Sequence, residues 1–279
     1  MQFYADTLSL NPSVFTILRD LIHERTGLFY EDSKRDILAN KLSPRVIERG
    51  FDSFLDYYYL LKYDPAAADE WNHVLDALSV QETYFWREID AIQALVHVVV
   101  PQWHAAHRGE PLRIWSAACA TGEEPLTIAM ALEQAGWFDR APIEIYASDA
   151  SHAALALARR GIYRQRSFRT LPPALHAAYF TEVAGGWQVA PELHARVRWA
   201  TANITAPAEV AALATAPIIF CRNVFLYFSP DAIRRTVHTF GERMAAPGYL
   251  FVGVSESLLR ITDMFELREI GGAFVYVKR

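Results

Sequence analysis

The residues most able to do chemistry sit where an apolar run meets a turn. Arg113-Ile114-Trp115-Ser116-Ala117 is followed by small residues, a single glycine at Gly122, two carboxylates at Glu123 and Glu124, and Pro125. An apolar-periodic stretch, 126–132, comes next. That order reads as strand, tight turn, helix. A second apolar run, 143–148, ends in Asp149. An acidic residue at the tip of the second strand of a Rossmann-type sheet is placed to hold ribose hydroxyls.

The first turn is not G-x-G-x-x-G, the spacing that brings backbone against a pyrophosphate. One glycine with carboxylates suits a nucleoside that has no phosphate and carries a positive charge. S-adenosylmethionine is such a ligand. Three further segments carry candidate chemistry. Thr83-Tyr84-Phe85-Trp86-Arg87-Glu88 sets aromatic rings beside an arginine that can steer a carboxylate. Asn203-Ile204 offers an amide that both donates and accepts, next to an apolar side chain. Cys221-Arg222-Asn223-Val224 follows the apolar run 217–220. Ligands of open α/β sheets lie beyond the carboxyl ends of the strands. Gly122, Asp149 and Asn223 therefore converge on one crevice.

These segments need elements to position them. The first hundred residues read as a small helical bundle. Pro12 starts one helix and Gly27 ends it; Asp32 and Ser33 cap a second, which Pro44 should kink or shorten. Ser53 caps a third, and a fourth carries Trp71, Val74, Leu75 and Leu78. Beyond Arg113, strands at 112–117, 143–148, 217–221, 248–253 and 273–278 alternate with helices at 125–135, 151–160 and 230–244, which predicts a doubly wound sheet with an antiparallel last strand. Gly185-Gly186, with Trp187 on one side and Val197-Arg198-Trp199 further on, reads as a small β-subdomain inserted at about 181–200. The expected domains are 1–88, helical with a linker, and 89–279, the sheet domain.

Composition narrows the function. The chain has 279 residues, 52% hydrophobic and 21% charged, with a net charge of −5, which argues against a general nucleic-acid binder. Cys119 and Cys221 are too few for a disulfide framework and read as reduced thiols of a cytoplasmic protein. The opening residues 1–6 lack the regions of a signal peptide, and no apolar run approaches the ~20 residues of a membrane span. His104 and His107 have no third ligand in view, so no metal is expected. Gly253-Val254-Ser255-Glu256-Ser257 lacks the last glycine of a nucleophile elbow and reads as a loop.

The chain resembles the chemotaxis receptor methyltransferases of the CheR type. The matching strings are Thr83 to Glu88, Trp115-Ser116-Ala117-Ala118 with Thr121 to Pro125, Ala147-Ser148-Asp149, Gly161-Ile162-Tyr163, Phe220 to Val224 with Leu226-Tyr227-Phe228, and Ser255-Glu256-Ser257. Thr26-Gly27 and Lys34-Arg35-Asp36 match the helical domain of that family, and the likeness runs from about residue 10 to the C-terminus.

The resemblance implies an enzyme that esterifies receptor glutamates with the methyl group of S-adenosyl-L-methionine, leaving S-adenosyl-L-homocysteine. It implies cofactor contacts by Gln81, Thr83, Arg87, Gly122, Glu124, Asp149, Asn203, Ile204, Arg222 and Asn223. Arg87 and Tyr227 would stand beside the transferring methyl. The family has asparagine where this chain has Gln81, which keeps the amide and adds a methylene. The expected partner is the cytoplasmic domain of a chemoreceptor, met by a monomer through its helical domain, without nucleic acid or membrane insertion. A regulatory module that binds cofactor and receptor without turnover is the alternative, as is a methyltransferase on another substrate class. Lys34, Lys41, Arg45 and Arg49 fall within about 80° on a continuous helix. They make a basic stripe suited to an acidic receptor, with Glu31, Asp32, Asp36 and Glu48 close by.

Overall fold

The computed structural model describes residues 7–65 and 67–279. The opening hexapeptide, read above for leader features, lies outside them. Contacts divide the chain into two compact units: residues up to Val80 together with Tyr227–Ile233, and Gln81–Leu226 together with Arg234–Arg279.

The first unit is built on α1 (Pro12–Thr26), α2 (Arg35–Glu48), α3 (Phe54–Tyr63) and α4 (Ala67–Leu78). Local chemistry sets their ends. The Asn11 side chain accepts from Ser13 N–H, Pro12 sits in the first turn, and Gly27 takes a left-handed φ of 78° to close α1. The Ser53 hydroxyl caps α3 through Asp56 N–H. Phe15, Leu18, Leu38, Leu42, Phe54, Leu61, Val74 and Leu78 meet in the core, each worth about 1.5–3 kcal/mol of burial. α2 runs through Pro44 without a break, so the expected shortening does not occur.

Glu70, only 4% exposed, explains what becomes of the basic stripe. Its carboxylate accepts from Arg45 Nε at 2.7 Å and from the Tyr57 hydroxyl at 2.6 Å, and Arg49 Nε lies 3.4 Å away. Lys41 Nζ donates to the Leu78 carbonyl at 2.8 Å. Three of the four cations of the stripe are therefore committed within their own unit. Burial works against the ionised form of Glu70, yet the bonds from Arg45 and Tyr57 hold its pKa below the ordinary value.

The second unit opens with α5 (Ile89–Ala94) and α6 (Val100–Ala106), joined by a π-helical turn at Leu95–Val99. Then come β1 (Leu112–Ala117), α7 (Glu123–Gln134), β2 (Ile143–Asp149) and α8 (His152–Arg160). Next in the chain are β3 (Ile162–Tyr163), α9 (Pro173–Tyr179), β4 (Phe180–Val183), β5 (Gly186–Val189), α10 (Pro191–His194) and β6 (Val197–Thr201). The chain goes on through α11 (Pro207–Val210), β7 (Ile218–Phe220), α12 (Pro230–Arg243), whose residues up to Ile233 group with the first unit, β8 (Tyr249–Phe251), β9 (Phe265–Ile270) and β10 (Ala273–Lys278).

Seven strands form the main sheet in the order β6-β2-β1-β7-β8-β10-β9. β6, β2, β1, β7 and β8 are parallel, while β10 runs antiparallel to both β8 and β9. The expected doubly wound sheet with an antiparallel final strand is present. The chain leaves β1 for β2 on one side and later places β7 on the other, so the switch point of the sheet lies at the carboxyl end of β1.

Two expectations need correction. Val197–Thr201 does not belong to the inserted hairpin. It is the parallel edge strand of the main sheet, with Ala147 opposite Trp199. The inserted sheet is instead β3-β5-β4, which recruits Ile162–Tyr163 to the 180–189 hairpin. Residues 81–88 also pack with the sheet unit, where Phe85 is wholly buried.

Candidate active site

The turn after β1 is conformationally costly. Ala118, Ala120 and Gly122 have φ of 54°, 49° and 94°, the left-handed region that disfavours side chains. Three contacts hold it. Cys119 N–H donates to the Ser148 carbonyl at 2.9 Å, and Ala120 N–H donates to Asp149 Oδ2 at 2.8 Å. The Tyr163 hydroxyl donates to the Thr121 carbonyl at 3.0 Å. A methyl group on Gly122 would stand 2.7 Å from Trp199 Cη2 and 3.1 Å from Ala158 Cβ. Gly122 is thus required by both its dihedral and its neighbours.

Asp149 lies at the end of β2 and is 9% exposed. Besides Ala120, it takes a bond from Ser151 N–H at 2.8 Å on Oδ1. The carboxylate stitches the turns after β1 and β2 together. A carboxylate offers about four acceptor positions, so these two backbone bonds are compatible with a ribose diol at the same group.

Glu124, in the first turn of α7, accepts from Ser116 Oγ at 2.7 Å and from Arg222 Nη1 at 3.1 Å. Arg222 follows β7. Its Nη2 donates to Glu88 Oε2 at 3.0 Å and to the Arg87 carbonyl at 2.9 Å. Its Nε is buried without a partner among the described residues. One guanidinium therefore serves two carboxylates. Burial opposes ionisation of Glu88, but Arg222 and Asn223 hold its pKa below the usual range. Burial pushes the pKa of Glu124 up, and Arg222 offsets this only in part. Glu88 (φ 48°), Trp86 (φ 68°) and Asn223 (φ 59°) are also left-handed, so strain concentrates around this network.

Asn223 Nδ2 donates to Glu88 Oε1 at 3.2 Å, and its N–H donates to Glu256 Oε2 at 2.8 Å. Asn203, just past β6, accepts from Thr205 N–H at 3.0 Å through Oδ1, and Ile204 beside it is buried. Arg87 donates to the Glu82 carbonyl at 2.7 Å. Gln81 and Thr83 lie in the irregular segment before Phe85. Tyr227 groups with the helical unit, where its carbonyl accepts from Phe29 N–H at 2.9 Å.

Arg87, Gly122, Glu124, Asp149, Arg222 and Asn223 are thus gathered at the carboxyl ends of β1, β2 and β7 within one unit. Several participants carried no role in the sequence. Glu88 was legible only as part of a string. Glu256 accepts from Gly253 N–H at 2.7 Å as well as from Asn223, and so holds the loop after β8. Glu123 is buried against Ser167 Oγ at 2.9 Å and Thr121 Oγ1 at 2.6 Å, and burial raises its pKa. Trp199, expected within the inserted β-subdomain, lies against the Gly122 turn instead. Cys119 and Cys221 are free and buried, and burial lifts both thiols. Among the described residues no cluster of His, Cys, Asp and Glu is arranged to hold a metal, and no helix is long and apolar enough to cross a membrane.

The residues fit a cationic nucleoside. An under-compensated carboxylate, an acid at the tip of β2, a buried guanidinium N–H unpartnered among the described residues and a turn with no room for a Cβ all lie on the residues that follow β1, β2 and β7. The unit has the class I methyltransferase fold. A family model described as the CheR methyltransferase SAM binding domain matches residues 81–273, and one described as the CheR methyltransferase all-alpha domain matches 13–79. The chain is 36% identical over 266 residues to chemotaxis protein methyltransferase 2 of Vibrio cholerae, covering 95% of this chain and 92% of that one. It is 35% identical over 268 residues to the chemotaxis protein methyltransferase of Klebsiella aerogenes (95% and 90% covered) and 33% identical over 267 residues to that of Escherichia coli K12 (94% and 91% covered). The chain belongs to the CheR methyltransferase family. It is a methyltransferase, and its cofactor is S-adenosyl-L-methionine.

Proposed function

We propose that this enzyme methylates glutamate side chains of chemoreceptors for sensory adaptation, giving glutamate methyl esters and S-adenosyl-L-homocysteine. The observation that carries the reading is the strain-bearing turn at Gly122, tied to Asp149 and faced by the under-compensated Glu124. Bound there, the cofactor supplies an electrophilic methyl on a sulfonium.

The protein's residues then have separable tasks. Glu124 meets the ammonium of the methionine part, and Arg222 and Asn223 close that end. Asp149 takes the ribose hydroxyls. Asn203 and Ile204 frame the adenine, and Gln81 and Thr83 complete the pocket. Arg87 and Tyr227 orient the acceptor carboxylate. A glutamate is already ionised at pH 7, so no general base is required, and none of these groups needs to take a proton. Charge is dispersed as carboxylate meets sulfonium, so alignment is the main contribution, up to roughly 7–11 kcal/mol in well-oriented cases.

The helical unit is assigned to receptor contact, and the enzyme to the cytoplasm as a monomer acting without nucleic acid. The relatives' names support the receptor contact, and the net charge of −5 supports the absence of nucleic acid. Incubation with radiolabelled cofactor and membranes of the native host tests it. Base-labile label in receptor-sized bands is expected; its absence overturns the reading.

A further inference from the structure

In a chain of net charge −5, the eleven residues from Arg159 to Arg169 hold five arginines and no acid. They run from the last turn of α8 through β3 into a short 3-10 turn, and Arg164, Arg166 and Arg169 are exposed. The segment folds back onto the Thr83–Glu88 string. Arg169 Cζ lies 3.7 Å from the centroid of the Tyr84 ring, and Arg87 Cζ lies 5.4 Å from the same ring. Glu82 pairs with Arg169 at 2.6 Å. Its pKa is held below the usual range by the bond from Arg169, aided by the charges of Arg166 and Arg87. Two guanidiniums thus flank one ring, and Arg166, exposed in the turn that leads to Arg169, adds a third charge that reaches Glu82. Arg166 has no hydrogen bond or ion pair among the described residues. The platform also adjoins the cofactor network, because the Arg87 carbonyl is itself bonded to Arg222.

We infer that Arg87 and Arg169, which flank Tyr84, together with the exposed Arg166 three residues before Arg169, receive an acidic stretch of the receptor flanking the methyl-accepting glutamate and select which glutamate is presented. The inference rests on the receptor reading above and names the surface it needs. The stripe on α2 is largely spent on Glu70 and a carbonyl, whereas here Glu82 pairs with Arg169, Glu88 lies 3.8 Å from Arg87, and Arg166 stands exposed with no ion pair among the described residues. Guanidiniums held by a ring present their forks to carboxylates with little entropy left to lose.

Arg166→Glu is the direct test, since no bond of the fold depends on that side chain. Methyl transfer to host membranes should show a receptor KM raised by about tenfold at low salt. We expect kcat within about twofold and cofactor affinity by calorimetry unchanged. The difference should vanish at about 0.5 M salt, and Arg166→Lys should recover most of the loss. An unchanged KM at low salt overturns the proposal, as does an equal loss in cofactor affinity. If KM is unchanged but the variant no longer binds protein-free phosphatidylglycerol vesicles, the platform serves a lipid surface and the proposal again fails. Failure of the receptor reading is separate: the wild-type enzyme would then place no base-labile methyl in those membranes.

Discussion

Arg222 Nη1 lies 3.1 Å from Glu124 Oε2, with the Arg222 side chain only 3% exposed. Because the same guanidinium also holds Glu88 at 3.0 Å, Arg222→Ala would leave two carboxylates in a poor solvent. Removing one partner of a buried ion pair costs about 3–5 kcal/mol. Urea unfolding should show a loss of that order. Adding Glu124→Gln to Arg222→Ala should recover part of it, since one stranded charge is then gone.

On the proposed contact between Glu124 and the cofactor's ammonium, the raised pKa of Glu124 makes cofactor binding depend on pH. A bound ammonium favours the ionised carboxylate, so the complex holds fewer protons there than the free enzyme. Affinity should therefore rise with pH through a window that runs from the ordinary carboxylate range up through the raised pKa of Glu124, and level off beyond it. Calorimetry in buffers of different ionisation enthalpy should detect proton release within that window. Glu124→Gln should abolish the dependence and weaken binding. A flat affinity profile in the native enzyme would contradict the assignment.

Gly122→Ala should fail for two separable reasons. The left-handed φ of 94° costs a side chain about 1–2 kcal/mol, and the added methyl would meet Trp199 at 2.7 Å. Cofactor affinity should drop by at least tenfold. Trp199→Leu in the same chain should recover the part due to crowding and leave the part due to strain. No recovery would show that Trp199 does not brace the turn.

Asp149→Ala removes the acceptor for Ala120 and Ser151 N–H and, on the proposed reading, the ribose ligand. Leaving two buried donors unsatisfied costs about 1–3 kcal/mol each. Calorimetry should find no cofactor binding, with a lowered melting temperature. Retained affinity would remove Asp149 from the site.

In the helical unit, Glu70 has its pKa lowered in the folded state by Arg45 and Tyr57 against the pull of burial. A carboxylate of that kind stabilises the fold above its unfolded pKa, and the stabilisation is lost as pH falls through the folded value. Thermal melts should fall across that acid range in the native enzyme. In Glu70→Gln that contribution should be missing.

Much of this fold was legible because local pattern and tertiary role agreed. The run 112–117 is β1 end to end, and the alternating 273–278 is β10. β9 is hidden in the sequence: Glu266, Arg268 and Glu269 make it look like a charged loop, and only pairing with β10 makes it a strand. β6 was misplaced because Val197-Arg198-Trp199 follows a hairpin signal, whereas its true partner is Ile145–Asp149, some fifty residues back. The strand-end residues could be found because each follows its own apolar run. Glu88 could not be given a role, since its partner Arg222 is 134 positions away and no local pattern joins them.

The inserted sheet has a mechanical meaning. Phe85 is seated 4.8 Å from Tyr163, 4.9 Å from Phe180 and 5.4 Å from Phe168. Two residues further on is Arg87. The insertion is therefore a socket, and the string bearing Arg87 is plugged into it. Evolution can lengthen the loop at Gly185, where an added Cβ meets nothing within 4 Å, so long as a residue that accepts a φ of 92° stands there. It cannot discard the insertion without letting go of the string that carries Arg87, the arginine proposed to orient the acceptor.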